Sequence, residues 1–332
     1  GILAFVSKPD YDLKLMSGVT PKGVWRSLNT DPARPLYNRA TLTRYSPGST
    51  FKMILSIAAL EEGIITPDWT IHCGGAFPFG NRVFKDLHVH GTVDLEKSLQ
   101  VSCNVYYYRL MLMVGLDTWS RYASMFGFGR TTDIDISEEN SGLLPTTEYM
   151  NKRYGEKGWT RGFLVSLGIG QGELGVTPTQ MAGYAMTLAN KGYYRQPHAV
   201  AAFVDKATDS IRMNTYSTRR INVSNETWNV VREGLRRAVE EPGGTAGAAR
   251  VKGFQSAGKT GTAQNPHGKD HSWYVGFAPF ENPTIAIAVM VENAGFGGAV
   301  AAPIGGMCIE HYIYGRLVRF DGKRKSVFGG QD

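Results

Sequence analysis

The chain has 332 residues, of which 42% are hydrophobic and 20% charged, and its formal net charge is +7. This composition can bury a sizeable core, which excludes an intrinsically disordered chain, and its 40 glycines show no collagen period. Three cysteines exclude a disulfide framework but leave room for one bridge. Basic residues are scattered apart from a tail cluster at residues 323–325, so the charge indicates a solvated surface rather than a nucleic-acid site.

The first predicted elements are a strand over residues 1–7 and a helix over residues 49–62. An apolar run favours the strand, and Ser46-Pro47-Gly48 predicts a turn before the helix. Gly63 follows the helix as a stop signal. Because apolar residues occur around nearly its whole circumference, we expect this helix to be buried.

The middle of the chain predicts helices, and its last part predicts strands. Further helices are expected near residues 92–101, 105–115, 178–190, 225–240 and 303–317, and strands near residues 251–264, 272–280 and 283–292. Turn residues between the last two strands predict a hairpin. We therefore predict a mixed α/β (α+β) fold. In it, one antiparallel sheet lobe is built from both chain ends, about 1–45 and 250–320, around an inserted all-helical lobe, about 46–249.

Three short patterns carry the candidate chemistry. Ser49 and Lys52 form a Ser-x-x-Lys pattern, Ser102 and Asn104 form Ser-x-Asn, and a Lys-Thr-Gly-Thr run starts at Lys259. The first two patterns are short enough to recur by chance, and they do so at positions 256–259 and 27–29. Their context separates the copies, because a helix that starts at Ser49 places Lys52 on the same face. The signal is that all three patterns occur in this order, each in a fitting predicted element.

These residue types fit acyl transfer through a covalent serine ester. A serine hydroxyl is a weak nucleophile until a base takes its proton, and Lys52 can do this only when it is neutral. Burial and a second cation, for which Lys259 is the candidate, would both lower the pKa of Lys52. The helix N-terminus offers backbone N–H groups to an oxyanion. Ser102 can relay a proton to a leaving amine, and Asn104 can hold a substrate amide.

The strand predicted around the third pattern fits recognition of a peptide carboxylate. Lys259, Thr260 and Thr262 offer an ammonium and two hydroxyl groups, and the strand backbone can pair with an extended peptide. Gly261 has no side chain and lets that peptide come close. The chemistry and the recognition therefore point to the same class of substrate, a peptide.

Together the three patterns resemble those of the penicillin-binding proteins and the serine β-lactamases. The resemblance covers nearly the whole chain, and its longer stretches look like class B transpeptidases: residues 35–40, 45–52, 168–172, 176–181 and 273–279. Residues 134–146 resemble the elongation-specific branch, penicillin-binding protein 2. The resemblance implies one transpeptidase domain over residues 1–332, with the penicillin-binding/serine β-lactamase-like fold.

The resemblance also implies a role for each matching residue. The catalytic residues would be the nucleophile Ser49, its general base Lys52, and Ser102, Asn104 and Lys259; the substrate-binding residues would be Thr260, Gly261 and Thr262. The backbone N–H groups of Ser49 and Thr262 would form the oxyanion hole. Catalysis would need no cofactor.

The implied activity is peptidoglycan D,D-transpeptidation during cell-wall elongation. The enzyme would act on the D-Ala-D-Ala end of stem peptides, and β-lactam antibiotics would inhibit it covalently. Expected partners are a membrane glycosyltransferase and elongation scaffold proteins, with no nucleic acid. The expected location is the periplasmic side of the cytoplasmic (inner) membrane. The family's membrane anchor and pedestal domain have no counterpart in this sequence, so we expect a catalytic domain alone.

Other interpretations stay open. A D,D-carboxypeptidase would pass the acyl group to water, a β-lactamase would need a base for deacylation that we cannot place, and a penicillin-sensing domain would be acylated without turnover. Taken alone, Ser49 and Lys52 could be a helix cap and a surface lysine. The Gly168–Gly172 stretch predicts a tight turn near the cleft and no phosphate loop. The three tyrosines at positions 106–108 predict packing in the core.

Four residues able to bind a divalent metal lie close together in the sequence. They are Cys73, Asp86, His90 and Cys103, the last inside the Ser-x-Asn pattern. Two thiolates, an imidazole and a carboxylate would make a closed, structural zinc site that pins the Ser102 loop from behind. Such a metal also fits the resemblance to elongation-type relatives. His72 and His88 are rival ligands, and a disulfide between the two cysteines or two buried free thiols are alternatives.

Overall fold

The computed structural model of the chain describes residues 1–136 and 138–320. The helices in that part of the chain are α1 (Lys22–Thr30), α2 (Lys52–Glu61), α3 (Leu95–Gln100), α4 (Asn104–Val114), α5 (Leu116–Met125), α6 (Thr147–Tyr154), α7 (Arg161–Gly168), α8 (Pro178–Ala189), α9 (Asn225–Glu240) and α10 (Ala301–Tyr314). The strands are β1 (Ile71–Cys73), β2 (Ala76–Phe79), β3 (Arg82–Lys85), β4 (Gly91–Val93), β5 (Tyr193–Arg195), β6 (Ala202–Val204), β7 (Ile211–Met213), β8 (Thr218–Arg220), β9 (Ala257–Ala263), β10 (His271–Ala278) and β11 (Ile285–Val291). None of these helices is long and apolar enough to cross a membrane.

The main sheet has three antiparallel strands in the order β11-β10-β9. The central strand β10 is buried along its whole length, because α8 and α10 both pack against it and β11. The predicted hairpin between the last two strands is confirmed, with Trp273 opposite Met290. On the other side Trp273 pairs with Gly261, so β9 is an edge strand that carries the third sequence pattern.

The centre of the helical region is α2. Its residues from Lys52 to Ala59 are all buried, which confirms the prediction from its apolar circumference. A 3-10 turn, Gly48–Phe51, precedes α2, so Ser49 lies one turn before the α-helix instead of opening it. The tyrosines at positions 106–108 pack in the same core, as predicted.

Two details of the predicted architecture are wrong. The N-terminal residues 1–7 form no strand: the Ile2 N–H donates to the His198 carbonyl, while Leu3 and Val6 are each 69% exposed. This segment makes its backbone hydrogen bond to a loop instead of pairing with the main sheet, so that sheet is built from the later part of the chain alone.

The inserted region is also not all-helical, because four two-stranded sheets, β1-β4, β2-β3, β5-β8 and β6-β7, lie in it. These strands have three or four residues, too few to give a periodic signal. The basic cluster at 323–325 lies outside the described residues.

Candidate active site

The turn that carries Ser49 approaches β9 closely. Gly48 has a φ of +59°, and a Cβ placed there would lie 2.8 Å from the Thr262 carbonyl oxygen and 3.1 Å from the Thr262 nitrogen. Likewise, a Cβ on Gly261 would lie 2.5 Å from the Pro47 carbonyl oxygen. The two glycines therefore allow the backbone of the nucleophile turn to face the N–H and C=O groups of Thr262, which a larger residue at either position would prevent.

Lys52 is fully buried and joins the first two sequence patterns. Its Nζ donates to the Ser102 carbonyl at 2.8 Å, to the Ser102 hydroxyl at 3.3 Å and to Asn104 Oδ1 at 2.8 Å. Burial lowers the pKa of Lys52 to about 8, although the negative charge of Asp86 acts in the opposite direction. A substantial neutral fraction near physiological pH is what a lysine general base requires.

The Ser102 turn is held in a conformation that few non-glycine residues adopt. Ser102 has a φ of +58°, and Cys103 follows as the N-cap of α4. The Cys103 N–H donates to the Ser98 carbonyl at 2.9 Å, which ties the turn to the end of α3. Left-handed backbone at a serine is costly and persists where surrounding contacts enforce it, and here it brings both Ser102 and Asn104 to Lys52.

The opposite wall of the cleft is β9. Lys259 is completely buried, and burial together with the positive charge of Lys52 holds its pKa well below the usual range. Its Nζ lies 3.4 Å from the Thr245 hydroxyl, and the Thr260 hydroxyl donates to the same oxygen at 3.0 Å. Thr245 was not predicted as a site residue, because nothing in the Pro-Gly-Gly-Thr stretch before β9 signals a contact with the Lys-Thr-Gly pattern.

The cleft therefore contains all eight of the predicted catalytic and substrate-binding residues. The Gly48 backbone lies against Thr262, Lys52 follows Ser49 by one turn and contacts Ser102 and Asn104, and the charge of Lys52 reaches Lys259. The predicted tight turn after α7 also lies at the cleft, where the Gly170 carbonyl accepts from the Gly48 N–H at 2.9 Å. The arrangement offers a hydroxyl, a buried amine base, a second buried amine and an open strand edge to one substrate.

The four candidate metal ligands lie directly behind the Ser102 turn. Their ligand atoms are all within 4.8 Å of one another. Asp86 Oδ2 lies 3.5 Å from Cys73 Sγ and 3.3 Å from Cys103 Sγ, and His90 Nδ1 lies 3.6 Å from both Cys73 Sγ and Asp86 Oδ2. Ligands bound tetrahedrally to zinc at 2.0–2.3 Å stand about 3.3–3.8 Å apart, so the four side chains fit that ion. Both cysteines are free thiols, which does not support the disulfide alternative.

The rival histidines take no part in this cluster. His88 contributes only its backbone carbonyl, 3.8 Å from Cys73 Sγ, and His72 is exposed on β1. Burial lowers the pKa of His90, which leaves its imidazole neutral at pH 7 and able to bind a metal. The pKa of Asp86 lies below its ordinary value. Burial acts to raise this pKa, but the hydrogen bond from the Val105 N–H and the positive charge of Lys52 together outweigh the effect of burial.

Comparison with known proteins identifies the family. The penicillin binding protein transpeptidase domain matches residues 1–310, nearly the whole chain. The chain belongs to this family. Its membership confirms both the family recognised from the three patterns and the predicted fold class, apart from the two details corrected above.

Similar proteins include curated peptidoglycan D,D-transpeptidases and solved penicillin-binding proteins. Peptidoglycan D,D-transpeptidase MrdA of Haemophilus influenzae is 35% identical over 341 residues, which cover 95% of this chain and 52% of the relative. The chain thus spans about half the length of the curated relatives that it matches. Pseudomonas aeruginosa PBP2, solved in complex with WCK 5153, is 32% identical and superimposes with a TM-score of 0.86 over 100% of this chain and 71% of that one. Helicobacter pylori PBP2, solved in complex with MreC, is 28% identical with a TM-score of 0.81 over 93% of this chain and 57% of that one.

Proposed function

We propose that this chain is the catalytic domain of a peptidoglycan D,D-transpeptidase that cross-links stem peptides during cell-wall elongation. The observation that carries the proposal is the buried amine of Lys52, which donates to both Ser102 and Asn104 beside the Ser49 turn. A base with a lowered pKa next to a serine and facing an open strand edge is the arrangement that acyl transfer to or from a peptide needs.

The reaction proceeds in two steps. Ser49 Oγ attacks the carbonyl carbon of the penultimate D-Ala, its proton passes to neutral Lys52, and the backbone N–H groups of Ser49 and Thr262 stabilise the oxyanion. The C–N bond to the terminal D-Ala then breaks, and the leaving amine takes its proton by way of Ser102, so that a serine ester remains. In the second step the amine of a neighbouring stem peptide attacks the ester and releases Ser49, with the protons moving in reverse.

The opposite wall orients the donor peptide. Asn104 holds a backbone amide of the peptide, and the terminal carboxylate binds among Lys259, Thr260 and Thr262. Thr245 contacts both Lys259 and Thr260, so it sets the rotamers of the groups that meet the carboxylate. The edge of β9 pairs with the extended peptide, while Gly261 leaves room for the nucleophile turn, since a Cβ there would lie 2.5 Å from the Pro47 carbonyl oxygen.

Benzylpenicillin tests the proposal because it acylates the same serine. We expect intact-mass spectrometry to find one stable adduct, which peptide mapping places on Ser49, and we expect Ser49→Ala to form none. The partly buried Ser46, three residues earlier, donates to the Leu174 carbonyl, and Ser46→Ala is the matched control that keeps the adduct. An adduct that disappears while the drug is hydrolysed would mean a β-lactamase. Absence of any adduct on the folded protein would overturn the proposal.

We also propose that Cys73, Asp86, His90 and Cys103 bind one structural zinc ion. When bound, the ion supplies cross-linking between β1, the loop before β4 and the Ser102 turn, and no step of the reaction passes through it. Asp86 Oδ2 accepts from the backbone N–H groups of Asn104 at 2.6 Å and Val105 at 3.0 Å, which connects the cluster to the start of α4. We expect metal analysis of protein purified without chelators to find about one zinc per chain. Finding no metal would contradict the zinc proposal and would mean that these side chains are buried thiols and polar groups without an ion.

The partners and the location follow from the substrate. Stem peptides are cross-linked outside the cytoplasmic membrane, so we propose that the whole protein acts at its periplasmic face beside a membrane glycosyltransferase and a scaffold such as the MreC that accompanies the Helicobacter pylori relative. Fractionation of cells that produce the whole protein should place the penicillin-labelled band with the membrane. Recovery of that band in the cytosol, or separate elution of protein and scaffold after co-expression, would contradict this part of the proposal.

A further inference from the structure

The turn after α7 contacts both sides of the cleft. We call residues 169–172 the bridging turn. The Gly170 carbonyl accepts from the N–H of Gly48 at 2.9 Å, immediately before the nucleophile. The next residue, Gln171, donates from its side-chain Nε2 to the Thr262 carbonyl on β9 at 3.0 Å. Two adjacent residues therefore hold the two segments whose backbone N–H groups form the proposed oxyanion hole.

The bridging turn is itself fixed in place. The N–H of Gly170 donates to the Leu167 carbonyl at 2.9 Å, and the N–H of Gln171 donates to the Ser166 carbonyl at 3.0 Å. Gly170 has a φ of +72°, and a Cβ at this position would overlap the carbonyl oxygen of Gly48. Gln171 is only 9% exposed. A buried side chain that extends from an anchored turn has few alternative rotamers, so it acts as a spacer of fixed length.

We propose that Gln171 is a positioning residue for acylation, which holds Thr262 at the distance from Ser49 at which both backbone N–H groups can donate to one oxyanion. This inference rests on the proposed function, since the oxyanion hole belongs to acyl transfer. Catalytic groups must be held within about 0.5 Å of their productive positions. The nearest atoms across the Gly48–Thr262 interface belong to the Thr262 backbone, and the hydrogen bond from the Gln171 side chain adds a restraint on their spacing.

A second buried glutamine offers a matched control. Gln180 is 4% exposed and donates to the carbonyls of Arg130 at 2.8 Å and Ser141 at 2.9 Å, while its Oε1 accepts from the Thr177 N–H in the capping box of α8. None of these partners lies in the cleft. A substitution at Gln180 therefore has the structural cost of disturbing a buried amide without changing the spacing between Ser49 and Thr262.

The test is the acylation rate constant for a fluorescent penicillin, measured with the 332-residue protein from about pH 5 to pH 8. Gln171→Glu keeps the size of the side chain but cannot donate to the Thr262 carbonyl when ionised. At pH 8 we expect its maximal acylation rate to be about tenfold lower than that of the wild type. At lower pH, where the carboxyl group is protonated and can donate, the ratio of the two rates should return towards one. The charged groups Lys52, Lys259 and Glu173 are present in both proteins, so taking the ratio to wild type removes the pH dependence that the two proteins share. The initial binding constant should change little, because the N–H groups act on the transition state.

Gln171→Met, which cannot donate at any pH, should be slowed by a similar factor throughout the range. Gln180→Glu should acylate at the wild-type rate at every pH, even if its unfolding midpoint falls. Wild-type rates in Gln171→Glu or Gln171→Met, or the same loss in Gln180→Glu, would overturn the inference. So would failure of both Gln171 variants to fold, because Gln171 would then serve the fold alone. Failure of the proposed function is distinct, since the wild-type protein itself would then form no Ser49 adduct.

Discussion

The side-chain Oδ1 of Asn104 accepts a hydrogen bond from Lys52 Nζ at 2.8 Å. The backbone N–H of the same residue donates to Asp86 Oδ2 at 2.6 Å. Asn104 begins α4, so its side chain reaches the cleft while its backbone meets the candidate zinc cluster. The candidate zinc cluster and Lys52, the proposed general base, are therefore connected through one residue. We expect a disturbance of the cluster to reach acylation through the position of Asn104.

Replacing the candidate base should remove acylation without removing the fold. Lys52→Met keeps a long buried side chain and lacks the amine that we propose accepts the Ser49 proton. General-base catalysis contributes about 10²–10⁴-fold to a rate, and we expect penicillin acylation to fall by that factor. Stopped-flow labelling measures the rate, and circular dichroism checks the fold. An acylation rate within twofold of wild type would exclude Lys52 as the base.

Acylation by the wild-type protein should rise with pH, with a midpoint near pH 8 and a plateau at higher pH. Burial lowers the pKa of Lys52 to about 8, and only the neutral amine can take a proton. The protonated fraction, and with it the inactive fraction, therefore grows as pH falls below that value. Rate constants measured from about pH 6 to pH 10 should show this inflection. A rate that decreases as pH rises through this range would contradict the assignment.

Loss of one cluster thiol should lower both zinc content and stability. Cys73 is completely buried within the cluster, and Cys73→Ser replaces a soft thiolate ligand by a hydroxyl that binds zinc poorly. We expect less than one zinc per chain and a lower unfolding midpoint. The matched control is Cys308→Ser, because Cys308 is exposed and lies on α10, outside the cluster. Equal zinc content in the two variants would contradict the four-ligand site.

The hydroxyl of Thr245 should matter for substrate affinity. It lies 3.4 Å from Lys259 Nζ and 3.0 Å from the Thr260 hydroxyl. Thr245→Val keeps the shape and leaves both groups without this partner, which costs a net hydrogen bond of about 1 kcal/mol. We expect roughly a fivefold weaker initial binding of penicillin with a smaller change in the maximal acylation rate. A binding constant equal to wild type would show that Lys259 and Thr260 are positioned without Thr245.

Several parts of the cleft were predictable because they depend on local geometry. The separation of Ser49 and Lys52 is one helical turn, and Ser102 and Asn104 lie on either side of a helix N-cap. The run from Lys259 to Thr262 lies on one strand. Elements of this length have a fixed geometry, so residues within them can be placed relative to each other from their spacing alone. The buried α2 was predictable for the same reason.

The short strands and the N-terminal segment were not predictable in this way. Residues 1–7 have strand-forming composition but pack against loops near His198, and β1 to β8 have three or four residues each. Their pairing depends on partners up to 27 residues away, as for Tyr193 and Arg220 in β5-β8. β propensity describes how a residue fits a pleated surface, and it does not identify the partner that provides that surface.

The sequence by itself determined the family, the fold class, the three patterns and the four candidate metal ligands. These features are carried by residue types at short spacings, whose chemistry does not depend on distant parts of the chain. Only the tertiary structure placed Thr245 beside Lys259, buried Lys52 deeply enough to lower its pKa to about 8, and set Gln171 against Thr262, 91 positions away. Burial and contacts between distant residues arise when the helices and the sheet pack together, and no local pattern encodes which side chains then meet.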